Sequence, residues 1–89
     1  MKYLRITEEI LFSFNGINYI ARTYIPARKP NYIYGEIVLA ENKKRPNNMR
    51  KILREKLKEY NIDVPFDSKK LVTHSAVQML MNLIKNEKA

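Results

Sequence analysis

The dipeptide Asn15-Gly16 stands between two runs that both suit strands, Glu9 to Phe14 and Ile17 to Ile25. Asn-Gly is the pair that most readily takes positive φ at both centres of a two-residue turn, which is the backbone that matches strand twist. A β-hairpin is therefore predicted. With Asn15 and Gly16 as the loop, Phe14 falls opposite Ile17, Phe12 opposite Tyr19, Ile10 opposite Ala21 and Glu9 opposite Arg22. Strand side chains alternate, so one face carries Ile10, Phe12, Phe14, Ile17, Tyr19 and Ala21 and the other Glu9, Leu11, Ser13, Asn18, Ile20, Arg22 and Tyr24. The first face is expected in a core and the second, mixed in character, in solvent.

Beyond the hairpin, Ile25 to Asn31 contains two prolines and two adjacent cations and reads as a loop. A third strand is predicted over Tyr32 to Ala40, with Ile33, Gly35, Ile37 and Leu39 on one parity and Tyr32, Tyr34, Glu36 and Val38 on the other. Glu41 to Asn48 is a polar connector whose two asparagines are placed to cap a helix. Met49 to Tyr60 has helical periodicity: Met49, Ile52, Leu53, Leu57 and Tyr60 gather on one side, with Arg50, Lys51, Arg54 and Lys58 opposite. Lys56 falls inside the apolar arc and must snorkel or meet an acid. Asn61 suits the residue after the helix end, and Val64-Pro65 blocks continuation. A second helix is expected to start at Asp67, Ser68 or Thr73. Its apolar face would hold Val72, Ala76, Met79, Leu80 and Leu83, flanked by Val77 and Ile84, with His74, Ser75, Gln78, Asn82 and Lys85 on the polar side. The predicted fold is α+β, a three-stranded antiparallel sheet followed by two helices. It is read as one domain over residues 1–89, because a chain of this length buries somewhat over ~60% of its unfolded surface, enough for one core.

The same sequence removes whole classes of chemistry. The chain has no cysteine, hence no disulfide or thiolate site, and with one histidine it is a poor metal binder, so no metal and no cofactor are expected. The glycines are isolated and form no phosphate loop. No apolar run approaches the roughly 20 residues of a membrane span, and no apolar stretch follows the basic N-terminus, so a cytoplasmic setting is expected. His74 lies between Thr73 and Ser75, but consecutive helix residues do not face one another and no carboxylate is placed to orient the ring, so it reads as a surface histidine and not a catalytic one. One enzyme class survives as a minor alternative. A small metal-independent ribonuclease works with Arg, Lys and Tyr stabilising charge, and Arg22, Tyr24 and Tyr34 share a sheet face.

Charge is the functional signal. The net charge is +8, and its distribution is uneven: residues 43 to 58 hold eight cations and one anion, whereas the segments before and after them are nearly balanced. The basic run is Lys43, Lys44, Arg45, Arg50, Lys51, Arg54, Lys56 and Lys58, with Glu55 the only acid. Arg50 and Lys51 fall in the first turn of a helix, where the macrodipole disfavours cations by about 0.3–1 kcal/mol each. A phosphate bound there would turn that cost into a gain. A second candidate surface is the outer sheet face, with Arg5, Ser13, Asn18, Arg22, Tyr24, Tyr32 and Tyr34, since aromatics beside arginines stack bases and contact phosphates.

In element order the chain resembles small DNA-binding domains that lay a three-stranded sheet in the major groove, a likeness that favours DNA over RNA. The leading expectation is a non-enzymatic nucleic-acid-binding accessory or regulatory protein. Its nucleic-acid contacts are expected from Lys43, Lys44, Arg45, Arg50, Lys51, Arg54, Lys58, Arg22, Tyr24 and Tyr34. The alternative is a protein-interaction module or inhibitor that docks its basic segment on an acidic partner. A homodimer is compatible with either, because Met79, Met81 and Ile84 add apolar surface to the last helix.

Overall fold

The computed structural model describes residues 4–63 and 73–88. Strands β1 (Leu4–Phe14), β2 (Ile17–Pro26) and β3 (Tyr34–Leu39) precede helices α1 (Met49–Lys58) and α2 (Thr73–Lys88). The strands form one antiparallel sheet in the order β1-β2-β3, so the fold is α+β. Asn15 and Gly16 take φ of 54° and 78°, the positive values that a two-residue hairpin turn requires. The four hairpin pairs expected from the sequence are all present.

Two departures follow from local irregularity. A bulge at Thr7 breaks the β1–β2 register between Ile6 and Glu8. Arg5, which simple alternation keeps on the outer face, consequently pairs with Ile25 on the face towards the helices, and Ile6 takes the place beside Tyr24 that the unbroken register assigns to Thr7. β3 begins only at Tyr34, because Lys29 N–H bonds the Pro26 carbonyl and Tyr32 N–H the Lys29 carbonyl, holding the chain in turns. Ile33, expected on the core parity, is therefore exposed outside the strand.

The core lies between the inner sheet face and both helices. Phe12, Tyr19, Ala21 and Ile37 meet Met49, Ile52, Leu53 and Leu57 of α1 and Ala76, Val77, Leu80, Met81 and Ile84 of α2. Each large aliphatic side chain buried there contributes roughly 1.5–3 kcal/mol. α2 is rotated from the expected setting: Val77 and Met81 point inward and Met79 outward, 44% exposed. The cause is Gly35. Its missing side chain lets Val77 sit against β3, and one turn earlier His74 accepts the Gly35 N–H at Nδ1 (3.1 Å). With Met81 and Ile84 buried, the apolar excess expected on this helix shrinks to Met79. The proposed starts at Asp67 or Ser68, the apolar position Val72 and the Val64-Pro65 stop lie outside the described residues.

α1 ends at Lys58, two residues short of the expected Tyr60, and Asn61 closes it as its sequence implies. Asn61 has φ of 64°, Ile62 N–H bonds the Leu57 carbonyl (3.1 Å) and Asn61 N–H the Lys58 carbonyl (2.9 Å), while Ile62 packs on the core. At the other end Asn48 occupies the cap position and its carbonyl accepts from Ile52 N–H, but its side chain makes no capping bond. Lys56 resolves its position in the apolar arc by meeting an acid. Its ammonium lies over the Phe12 ring, 5.8 Å from the centroid, and bonds Glu59 (2.9 Å) and the Ser13 carbonyl (3.2 Å).

Candidate nucleic-acid interface

The connector is tied to β3. Leu39 N–H bonds the Lys44 carbonyl, Lys43 N–H the Leu39 carbonyl and Lys44 N–H the Asn42 side-chain oxygen, each at 2.8–2.9 Å. Closing this loop forces Lys43 to φ of 62°, a left-handed conformation that costs a non-glycine residue about 1 kcal/mol or more. The side chains of Lys43 and Lys44 are exposed at its tip. Arg45 instead turns back, its guanidinium 2.7 Å from the Glu36 carboxylate, and that bond raises its pKa further.

On α1 the core-facing residues are Met49, Ile52, Leu53 and Leu57, which leaves Arg50, Lys51 and Lys58 exposed. Lys51 and Lys58 are seven residues apart on one face, about 10 Å along the axis. Arg54, expected with them, is mostly buried, with its guanidinium 3.3 Å from Glu55. Among the described residues Lys43, Lys44, Lys51 and Lys58 have no carboxylate within ion-pair distance. The first turn of α1 holds no acid. A groove of about 640 Å³ separates α1 from the hairpin tip, walled by Phe14 and Asn15 on one side and by Asn48, Lys51 and Lys58 on the other, with Glu55 and Glu59 also lining it.

The outer sheet face is built in rows across the three strands. Leu11, Ile20 and Val38 form an apolar row, Glu9, Arg22 and Glu36 a charged one, and Ile6, Tyr24 and Tyr34 a third. In the charged row Arg22 Nε is 2.8 Å from Glu36 and its Nη1 3.6 Å from Glu9, so Glu36, only 6% exposed, receives both Arg22 and Arg45. Tyr24 is buried, which pushes its hydroxyl above the ordinary tyrosine pKa, the nearby Glu36 carboxylate adding to the effect. Tyr34 packs edge-on against Tyr24 and stacks on His74, with ring centroids 4.2 Å apart.

The structure thus brings Arg22, Tyr24 and Tyr34 together but engages them with one another and with Glu36, Glu9 and His74. The expectation that this mixed face lies in solvent fails at Tyr24, and Glu36 and Val38 of β3 beside it are buried as well. Strand alternation says nothing of a connector that folds back, and the one legible sign was Glu36 opposite Arg22 with Arg45 nine residues on. His74, expected on the surface, is half-buried between Tyr34 and the edge of β3. Its interaction with Gly35 joins residues 39 apart, beyond the reach of local spacing.

Among the described residues no helix is long and apolar enough to cross a membrane, and no group of three or more His, Asp or Glu side chains converges. Compared with protein-family models, with curated proteins and with solved structures, the chain matches none.

Proposed function

We propose that the chain is a non-enzymatic nucleic-acid-binding protein that grips the phosphate backbone through the connector tip and the outer face of α1. The observation that carries this reading is the set of exposed lysines Lys43, Lys44, Lys51 and Lys58, with no carboxylate in ion-pair range among the described residues, in a segment of eight cations and one anion. The segment's own pairing sorts its charges. Arg45, Arg54 and Lys56 meet Glu36, Glu55 and Glu59, and the exposed remainder is mostly lysine, a compact point charge suited to phosphate contact more than to reading base edges. Binding with little sequence preference follows, supplied by counterion release. Duplex DNA is the favoured polymer only on the likeness of element order. The sheet face is not part of the interface, since Glu9 and Glu36 flank Arg22 there. A ribonuclease centred on Arg22, Tyr24 and Tyr34 is disfavoured because Tyr24 is buried and Arg22 is held by two carboxylates.

The test compares the wild type with the variant Lys43→Glu/Lys44→Glu/Lys51→Glu/Lys58→Glu for binding to random-sequence duplex DNA and to single-stranded RNA. The wild type should bind at low salt and the variant should not, with unchanged circular dichroism because all four side chains are exposed. A wild type that binds neither polymer removes the reading in favour of an acidic protein partner. Cleavage of labelled RNA would revive the enzyme.

A further inference from the structure

The chain closes one edge of its sheet and leaves the other open. Along β3 the outward N–H groups all have partners: Gly35 donates to His74 Nδ1, Ile37 to Met49 Sδ (3.4 Å) and Leu39 to the Lys44 carbonyl. A blocked edge of this kind cannot template another strand. In a hairpin with a two-residue loop the pair flanking the loop is hydrogen-bonded, so on β1 Phe14, Phe12 and Ile10 turn their backbone groups to β2 and Ser13, Leu11 and Glu9 turn theirs outward. The bond from Ala40 N–H to the Asn18 carbonyl fits this phase, since Asn18, opposite Ser13, faces β3. Lys56 takes one of the two acceptor sites of the Ser13 carbonyl and leaves the other open, while among the described residues the outward backbone groups of Glu9 and Leu11 meet no partner. Leu11 is also 56% exposed.

We propose that β1 pairs with β1 of a second copy of this chain, antiparallel and with Leu11 opposite its own counterpart, so that two sheets join into one. The register follows from charge. Centring the pair on Glu9 sets two carboxylates directly opposite, and centring it on Ile10 sets Glu9 against Leu11 and Glu8 against Phe12, which mates charge with apolar surface. Centring it on Leu11 sets leucine against leucine and Glu9 against Ser13, where the Lys56 ammonium already lies on the Ser13 carbonyl. Each copy's Glu9 carboxylate, half-exposed in the single chain, then faces the other copy's Lys56. The bulge at Thr7 ends the flat stretch and so limits the paired segment to Glu9 through Ser13. Apart from Lys56, this surface lies outside the basic segment, and the pairing does not depend on nucleic-acid binding.

The absence of cysteine makes the register directly testable. Opposed residues in a hydrogen-bonded antiparallel pair have Cα atoms about 5.5 Å apart, inside the range a disulfide spans. Leu11→Cys should form a covalent dimer on mild oxidation, whereas Ser13→Cys, opposite Glu9 of the other copy, should stay reduced. Wild-type protein should sediment as a concentration-dependent dimer, and Leu11→Lys as a monomer. Glu9→Lys should also give monomer, and Glu9→Lys/Lys56→Glu should restore the dimer. A wild type that sediments as a monomer at every concentration overturns the proposal, as does Ser13→Cys crosslinking as readily as Leu11→Cys.

Discussion

Val77 stands so close over Gly35 that a Cβ on the glycine would lie 2.8 Å from the valine Cβ. No real pair of such atoms comes that near, and the flanking His74 carbonyl at 3.1 Å leaves no direction for relief. Gly35→Ala should push α2 off β3 and lengthen the His74 bond, at a cost of about 1–3 kcal/mol typical of overpacking. Urea denaturation measures it. The double variant Gly35→Ala/Val77→Ala should recover little of the loss, because alanine keeps the Cβ that stands 2.8 Å from the new methyl group.

Glu36 holds two arginines that come from different parts of the chain. Replacing it by Gln leaves Arg22 with only the more distant Glu9 carboxylate and frees Arg45 to solvent. Arg45 is half-exposed and loses little, so the expected cost of about 1–3 kcal/mol comes mainly from Arg22. Arg22→Gln in the Glu36→Gln background should then cost much less than it does in the wild type. Denaturation of the four proteins in this cycle checks it.

Lys43 separates stability from function. Its positive φ favours glycine, so Lys43→Gly should leave the fold as stable or raise it by up to about 1 kcal/mol. The same change removes an exposed cation and should weaken binding to duplex DNA. A thermal melt and a binding titration on one sample separate the two effects.

Tyr24 provides a pH dependence of known sign. Its folded pKa lies above the ordinary 10.0, so the folded state keeps its proton longer than the unfolded chain does. The stabilisation is complete below pH 10.0 and is lost as pH rises through the folded value. Tyr24→Phe should show a shallower fall in stability above pH 10.0 than the wild type, measured by denaturation at stepped pH.

Much of this architecture is local and therefore legible in the sequence. Asn15-Gly16 determines the turn and, through it, every pair from Phe14–Ile17 to Glu9–Arg22, because strand alternation leaves no freedom once the loop is known. The left-handed turn at Asn61 that closes α1 is similarly local. What could not be read depends on contacts across the chain. The rotation of α2 is set by Val77 and His74 meeting Gly35, and the Thr7 bulge that moves Arg5 has no glycine to announce it. At the candidate site, exposure of Lys43, Lys44, Lys51 and Lys58 follows from connector polarity and helix periodicity, whereas the loss of Arg22 to Glu36 needs the β2–β3 register and that of Arg45 the folded connector.

The most direct measurement is the salt dependence of binding to random-sequence duplex DNA. If Lys43, Lys44, Lys51 and Lys58 each neutralise one phosphate, log K should fall against log salt with a slope of roughly −4, from about 0.9 per contact. Lys51→Gln should reduce that slope by about 1. Undetectable binding at low salt, or a slope that Lys51→Gln leaves unchanged, would contradict an interface on the connector and α1.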